Sequence, residues 1–235
     1  IPGLEASIHG KPLPDHVRAV SADGITHVKL IDATPIGINI RSTVAPYANV
    51  HDELRKTFAR TAGAKELGYK AGDFSYNTGK LRCPVCDGTG VINLDVQFLP
   101  DVKITCPQCR GSRYSKDAEK IKYTNKKDKS GQSWSLPELM EMNVSTALNA
   151  CANLKSVLQK LQVLEDLGLG YLTLGEETPS LSGGEAQRLK LACEMGKAQS
   201  DSVFVFDEPT IGLHPLDVRT LLDVFQTLID NGATV

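Results

Sequence analysis

A chain of 235 residues with 41% hydrophobic and 23% charged residues is long and apolar enough to fold as one large domain or two small ones. Its net charge of -2 excludes a globally basic nucleic-acid binder, so any such surface must be local. No apolar run approaches the ~20 residues of a membrane helix and no secretory signal opens the chain, so a cytoplasmic protein without a membrane anchor is expected.

The first 26 residues, with Pro2, Gly3, Gly10, Pro12, Pro14 and Gly24, read as an irregular lead-in. His27-Val28-Lys29-Leu30-Ile31-Asp32 reads as a strand stopped by Thr34-Pro35-Ile36-Gly37. Asn49 is the expected cap of a helix from Val50 to Ala62, with Leu54 and Phe58 on one face. The stretch from Gly63 to Gly79 reads as loop and carries Tyr69, Phe74 and Tyr76. Beyond a cysteine-rich segment, Leu136-Pro137-Glu138-Leu139 reads as a helix start. Leu154, Val157, Leu158, Leu161, Leu164 and Leu167 then form a helical stripe closed by Gly168 and Gly170. Further helices are expected over about Glu185–Ala198 and Leu216–Asn231, the last burying Val218, Leu221, Leu222, Phe225, Leu228 and Ile229. Ala233-Thr234-Val235 reads as the first residues of a strand. Together with Ile1 as first residue, this leads to the expectation of a piece of a longer protein.

The cysteines form two C-x-x-C knuckles, Cys83-Pro84-Val85-Cys86 and Cys106-Pro107-Gln108-Cys109. Each turn aims two thiolates at one point, and two turns complete a tetrahedral four-cysteine zinc site. Disulfides, a redox pair and an iron–sulfur cluster are the alternatives; absent signs of secretion count against disulfides, and a redox pair needs no second knuckle. Cys151 and Cys193 read as buried free thiols. Between residues 80 and 129, eleven Lys and Arg stand against six Asp and Glu, a local excess of five positive charges suited to a phosphate backbone. The lysine run near Asn125–Gly131 reads instead as a solvated loop.

Two later stretches carry the strongest chemical signal. Leu181-Ser182-Gly183-Gly184-Glu185-Ala186-Gln187-Arg188 reads as a Ser-Gly-Gly turn opening a helix, whose N–H groups and dipole can hold a phosphate. Val203-Phe204-Val205-Phe206-Asp207-Glu208 reads as a buried parallel strand delivering two carboxylates to the carboxyl edge of a sheet. One can hold Mg²⁺, directly or through water, and the next can orient or deprotonate a water. In this order, followed by Thr210-Ile211-Gly212-Leu213-His214-Pro215-Leu216-Asp217, they resemble the signature, Walker B strand and D-loop of ABC-type ATPases.

A zinc module ahead of such a signature is similar to the UvrA family, the DNA-damage sensor of bacterial nucleotide excision repair. The resemblance rests also on Val96-Gln97-Phe98-Leu99-Pro100-Asp101-Val102, Gly111-Ser112-Arg113-Tyr114, Leu167-Gly168-Leu169-Gly170-Tyr171-Leu172 and Asp73-Phe74-Ser75-Tyr76-Asn77. It implies an α/β fold: a partial ABC-ATPase nucleotide-binding sheet with a helical signature subdomain and an inserted four-cysteine zinc module, from the C-terminal half of the family's two-module polypeptide. The implied parts are residues 1–79 leading from the start of the second ABC module into the signature subdomain, the zinc insert 80–125, the signature subdomain 126–200 and the ATP-binding core 201–235. By the same resemblance Cys83, Cys86, Cys106 and Cys109 hold zinc, and Asp207 serves magnesium. Glu208 is the catalytic base or water-positioning residue. Ser182, Gly183, Gly184 and Glu185 belong to the turn that reaches the γ-phosphate of ATP held by a partner module. The implied partners are damaged duplex DNA, a second copy of the protein and the UvrB subunit of the excinuclease.

The sequence departs from the family's pattern in three places. No G-x-x-x-x-G-K-[ST] phosphate-cradling loop occurs, so the chain alone is expected neither to bind ATP tightly nor to hydrolyse it. Ala33 stands where the family carries its Q-loop Gln. Residues around 125–134 look like an insertion. A UvrA-like paralogue serving drug or DNA-adduct resistance is the alternative that suits Ala33. A DnaJ-type zinc chaperone module needs four repeats where this chain has two, and a transporter ATPase has no use for the zinc insert.

Overall fold

The computed structural model describes residues 1–37, 39–94, 102–125, 131–195, 200–210 and 215–235. In chain order its elements are α1 (Pro2–Ile8), β1 (His27–Ile31), α2 (Val44–Tyr47), α3 (Val50–Phe58), α4 (Ala62–Glu66), β2 (Val91–Leu94), β3 (Val102–Thr105) and α5 (Lys116–Lys120). They continue with β4 (Tyr123–Thr124), β5 (Ser133–Trp134), α6 (Leu136–Glu141), α7 (Val144–Ala150), α8 (Lys155–Asp166), α9 (Gly183–Glu194), β6 (Ser202–Phe206) and α10 (Pro215–Asp230). The mixture of helix and strand is the α/β composition the sequence leads one to expect. The chain divides into two compact units, one of Ile1–Pro35 with Leu181–Val235, the other of Ile36–Ser180.

The first unit is built on β1 and β6, which pair in parallel from His27 opposite Ser202 to Ile31 opposite Phe206. Thr234 adds a parallel bridge on the other side of β6, accepting from the Phe204 N–H at 2.8 Å. β6 is therefore interior to the sheet, which is what its apolar run demands. Ile31, Phe204, Leu189, Leu191, Leu221 and Leu228 are buried, and the rings of Phe206 and Phe225 lie 4.4 Å apart. Two expectations fail here. The lead-in contains α1, started by Pro2 in its first turn, where proline is preorganised for a helix. On α10, Leu222 and Ile229 are 57% and 48% exposed, so the buried stripe is narrower than the sequence pattern. Residues 196–199, the end of the expected signature helix, lie outside the described residues.

The second unit is a helical core carrying two small antiparallel hairpins, β2–β3 and β4–β5. Leu54 and Phe58 of α3, Val157, Leu161 and Leu164 of α8, and Leu136 and Leu139 of α6 are buried to 0% exposure. Helix ends follow local rules. Ser135 caps α6 in a reciprocal box with Glu138, and Asn143 caps α7 through its side chain. Asn49 does not cap α3: it sits in the left-handed region at φ 56°, and its N–H closes the preceding helix on the Pro46 carbonyl. Two helices meet there with no room for an extended cap, and Asn tolerates that geometry. The expected loop 63–79 contains α4 and a 3-10 turn, Ala71–Phe74, and its Phe74 and Tyr76 are core residues.

His51 is buried among these rings, its Nε2 2.7 Å from the Tyr114 hydroxyl, which itself donates to the Phe74 carbonyl at 2.9 Å. Burial, aided by the Arg55 charge and opposed by Asp52, pushes its pKa down from 6.5 to about 3. The unfolded chain therefore takes up a proton below pH 6.5 that the folded chain refuses, and stability is lost as pH falls through that window. From pH 7 to 5.5 this one group removes about 1.3 kcal/mol of unfolding free energy. Urea denaturation at both pH values checks it, and His51→Gln, though less stable, lacks that step.

Candidate functional site

Each of the two units holds one cluster of the chemistry-bearing residues. In the second unit the four knuckle cysteines converge: all four sulfurs lie within 4.8 Å of one another and all four residues are buried. The close pairs run between knuckles, Cys83 to Cys106 at 3.9 Å and Cys86 to Cys109 at 3.6 Å. A tetrahedron with metal–sulfur bonds of about 2.3 Å has edges of about 3.8 Å, so the donor set fits a tetrahedral thiolate-bound ion such as zinc. The electrostatics point the same way. Burial pushes the Cys83 thiol up and Cys109 up to about 12. Burial also opposes ionisation of Cys106. The N–H groups of Cys109 and Gln108 and the thiols of Cys109 and Cys86 outweigh it and bring Cys106 down to about 7. Ionising all four thiols in so small a buried volume would require a cation among them.

The backbone explains why these turns close. Each knuckle is followed by left-handed residues at the same offsets: Asp87, Gly88 and Gly90 after Cys86, and Arg110, Gly111 and Arg113 after Cys109. The two turns are stitched reciprocally, the Cys83 N–H donating to the Arg113 carbonyl at 2.9 Å and the Cys106 N–H to the Gly90 carbonyl at 2.8 Å. The Gly90 N–H points at the Cys86 sulfur at 3.3 Å. Gly88 cannot be replaced: at φ +76° a Cβ would lie 1.8 Å from the Tyr76 carbonyl oxygen. Gly88→Ala is expected to cost on the order of 3–5 kcal/mol, since backbone must move to admit it, and a chemical denaturation midpoint measures the loss.

Where the second knuckle needs its last left-handed residue it has Arg113, at φ 72° and 5% exposed. Its guanidinium donates to the Ile40 carbonyl at 3.0 Å and to Glu177 at 2.9 Å, and lies over the Tyr76 ring. Contacts as numerous as these hold a strained backbone in place. By sequence Arg113 counts toward a surface excess of cations; it is instead internal. Asp87 pairs with Arg82 at 2.8 Å and with Arg41 at 3.1 Å, so those charges are answered as well. Lys80, Lys103, Arg110 and Lys116 are exposed and form no ion pair among the described residues. Arg110 and Lys116 line a cleft of about 450 Å³ beside the knuckle with Pro107, Gln108, Cys109 and Glu119. The lysine run 126–130 and the stretch 95–101 between the knuckles lie outside the described residues.

In the first unit, the carboxyl ends of β1 and β6 meet the start of α9. Ser182 caps α9, its hydroxyl accepting from the Glu185 N–H at 3.4 Å while Glu185 Oε2 accepts from the Ser182 N–H at 2.7 Å. Gly183 and Gly184 form the first turn, where amides have no partner within the helix. A Cβ on Gly183 would come within 3.0 Å of the Ala33 Cβ, so the small residue at position 33 and the glycine fit each other. Asp207 and Glu208 stand exposed at the end of β6, and Glu208 is left-handed at φ 45°. Lys190 of α9 donates to Asp32 Oδ1 at 2.5 Å and to the Thr34 hydroxyl at 2.7 Å. The Lys190 hydrogen bond, with that of Thr34, holds the Asp32 carboxyl below its ordinary value. Gln187, 5% exposed, stands in the sequence only as part of a motif, yet it ties both strand ends together. Of the expected D-loop, residues 211–214 lie outside the described residues.

With that geometry in view, similarity to known proteins is decisive. The UvrABC system protein A of Aquifex aeolicus is 44% identical over 214 residues, 91% of this chain and 22% of that protein. Its counterparts in Bacillus subtilis and Thermus thermophilus are each 42% identical, over 94% and 91% of this chain. The chain belongs to the UvrA family. A crystal structure of UvrA2 from Deinococcus radiodurans superposes with a TM-score of 0.81 at 39% identity, covering 91% of this chain and 25% of that one. No protein-family model matches. The chain thus spans about a quarter or less of the UvrA proteins it matches. Its α/β fold is that of the matching UvrA structure, with four cysteines able to hold a metal ion. No helix among the described residues is long and apolar enough to cross a membrane.

Proposed function

We propose that this chain is the zinc- and signature-bearing part of a UvrA-type ATPase that recognises DNA damage in nucleotide excision repair. The observation that carries the reading is 40–44% identity over nearly the whole chain to UvrABC system protein A, together with the strand-end carboxylates and the four-cysteine cluster of this chain. In this reading Cys83, Cys86, Cys106 and Cys109 hold zinc, which fixes the fold of the two knuckles. Lys103, Arg110 and Lys116 present positive charge to a phosphate backbone. The Ser182-Gly183-Gly184 turn offers amides to the γ-phosphate of ATP held by a partner module, with Glu185 fixing the cap. Asp207 serves Mg²⁺, and Glu208 orients the attacking water and receives its proton. ATP bound with its metal supplies the leaving group, and the phosphate-cradling loop comes from elsewhere in the full polypeptide, since this chain has none. A second copy, UvrB and damaged duplex are its partners, and the cytoplasm is its location.

A second reading, a UvrA-like paralogue in drug or DNA-adduct resistance, is suggested by Ala33 at the Q-loop position. One experiment separates them. The full polypeptide is mixed with ATP, Mg²⁺ and matched damaged and undamaged duplexes at two salt concentrations. A preference of about tenfold or more, 1.4 kcal/mol, for damage supports the sensor, with a salt slope reporting its phosphate contacts. Equal binding to both duplexes favours the paralogue, and no binding to either removes the repair reading.

A further inference from the structure

Gln187 is the one buried amide of α9, 5% exposed and a helical turn beyond the Ser182-Gly183-Gly184 cap. Its Nε2 donates to the Ile31 carbonyl at 2.9 Å and to the Asp207 carbonyl at 3.0 Å. An amide nitrogen carries two N–H groups, so both are used, and two carbonyl acceptors fix which way the amide points. The two carbonyls are the last of β1 and the first beyond β6. The ladder hydrogen bond that should close these strand ends, Asp207 N–H to the Ile31 carbonyl, is stretched to 3.4 Å. At that distance it is weak, and the Gln187 amide does the closing. The peptide between Asp207 and Glu208 is thereby oriented by a side chain of the signature helix, and Glu208 immediately beyond adopts φ 45°, a conformation that a non-glycine residue holds only when its surroundings impose it.

We propose that Gln187 is a positioning residue for ATP hydrolysis: it clamps the Asp207 carbonyl to the end of β1 and so aims the Glu208 carboxylate. The inference rests on the reading of Asp207 and Glu208 given above. It links the anion-holding turn, one helical turn before Gln187 on α9, to the strand-end carboxylates through this amide, so that nucleotide held at Ser182–Gly184 and the angle of Glu208 are set together.

The test is steady-state ATP turnover by the full polypeptide with Gln187→Met, Gln187→Glu and, as control, Glu208→Gln. Met matches the length of Gln but donates nothing, so Gln187→Met is expected to lower kcat by about 10–100-fold with KM for ATP within about twofold, as for loss of a contact that matters only in the transition state. Gln187→Glu faces two carbonyl oxygens and donates only when protonated. Its kcat is expected to recover several-fold from pH 8 to pH 6 relative to wild type. A merely structural role would instead move KM and kcat together, or lower the melting temperature with no pH-dependent rescue, and either outcome overturns the proposal. Wild-type kcat in Gln187→Met alongside a dead Glu208→Gln also overturns it while leaving the catalytic reading intact. Undiminished turnover in Glu208→Gln would overturn both.

Discussion

With zinc held by the four cysteines as proposed, stripping it or replacing Cys106 by Ser is expected to unfold the two-knuckle module. The four sulfurs lie within 4.8 Å of one another and are buried, so without a cation the cluster must either stay protonated or repel itself. Around those sulfurs there is little apolar packing. Among the described residues Ile92 alone packs on the cysteines as a partly buried hydrophobe, and β2 and β3 are four residues each. A structural zinc site contributes on the order of 10 kcal/mol near neutral pH, more than such a hairpin could supply. Binding also releases protons, because Cys109 is held up at about 12 and must ionise to ligate. Titration with a chelator should therefore release one zinc per chain, with loss of hydrogen-exchange protection confined to about residues 83–109. The helical core around Leu54, Phe58 and Leu161 should stay protected.

The second large effect is expected at Glu208. Its carboxylate is exposed at the end of β6, one residue past Asp207, on a backbone that is left-handed at φ 45°. Glu208→Gln keeps size and hydrogen bonding but cannot take a proton. In the full polypeptide it should lower ATP turnover by about 10²–10⁴-fold while leaving nucleotide binding within a few-fold. Asp207→Asn should differ, weakening the Mg²⁺ dependence itself. Fluorescent-nucleotide titration beside single-turnover hydrolysis separates the two variants.

Features set by short-range rules were open to sequence reading. The C-x-x-C turns, the Ser182–Glu185 capping box and the apolar run ending in Asp207 each depend on neighbours within a few residues, and each folds as its spacing dictates. Features decided by tertiary company were not. Arg113 counts as surface charge until Glu177, Ile40 and Tyr76 are seen around it. Gln187 is one letter of a motif until two strand ends, 156 and 20 residues away in sequence, present their carbonyls to it. Asn49 has the right chemistry for a cap, yet the helix before it dictates its backbone. Leu222 and Ile229 fit a helical stripe by period, but only part of that stripe is covered. The pairing of β1 with β6 spans more than 170 residues, and nothing local in His27–Ile31 names its partner.

DNA-dependent ATP turnover of the full polypeptide, in wild type and in Cys106→Ser, tests most directly the claim that one chain joins a metal-held nucleic-acid module to an ATP-hydrolysing strand end. Duplex DNA should change the wild-type rate and leave Cys106→Ser at an unaltered basal rate, with Glu208→Gln silent throughout. An identical DNA response in Cys106→Ser and wild type would contradict the claim, since the knuckles would then have no part in reading DNA.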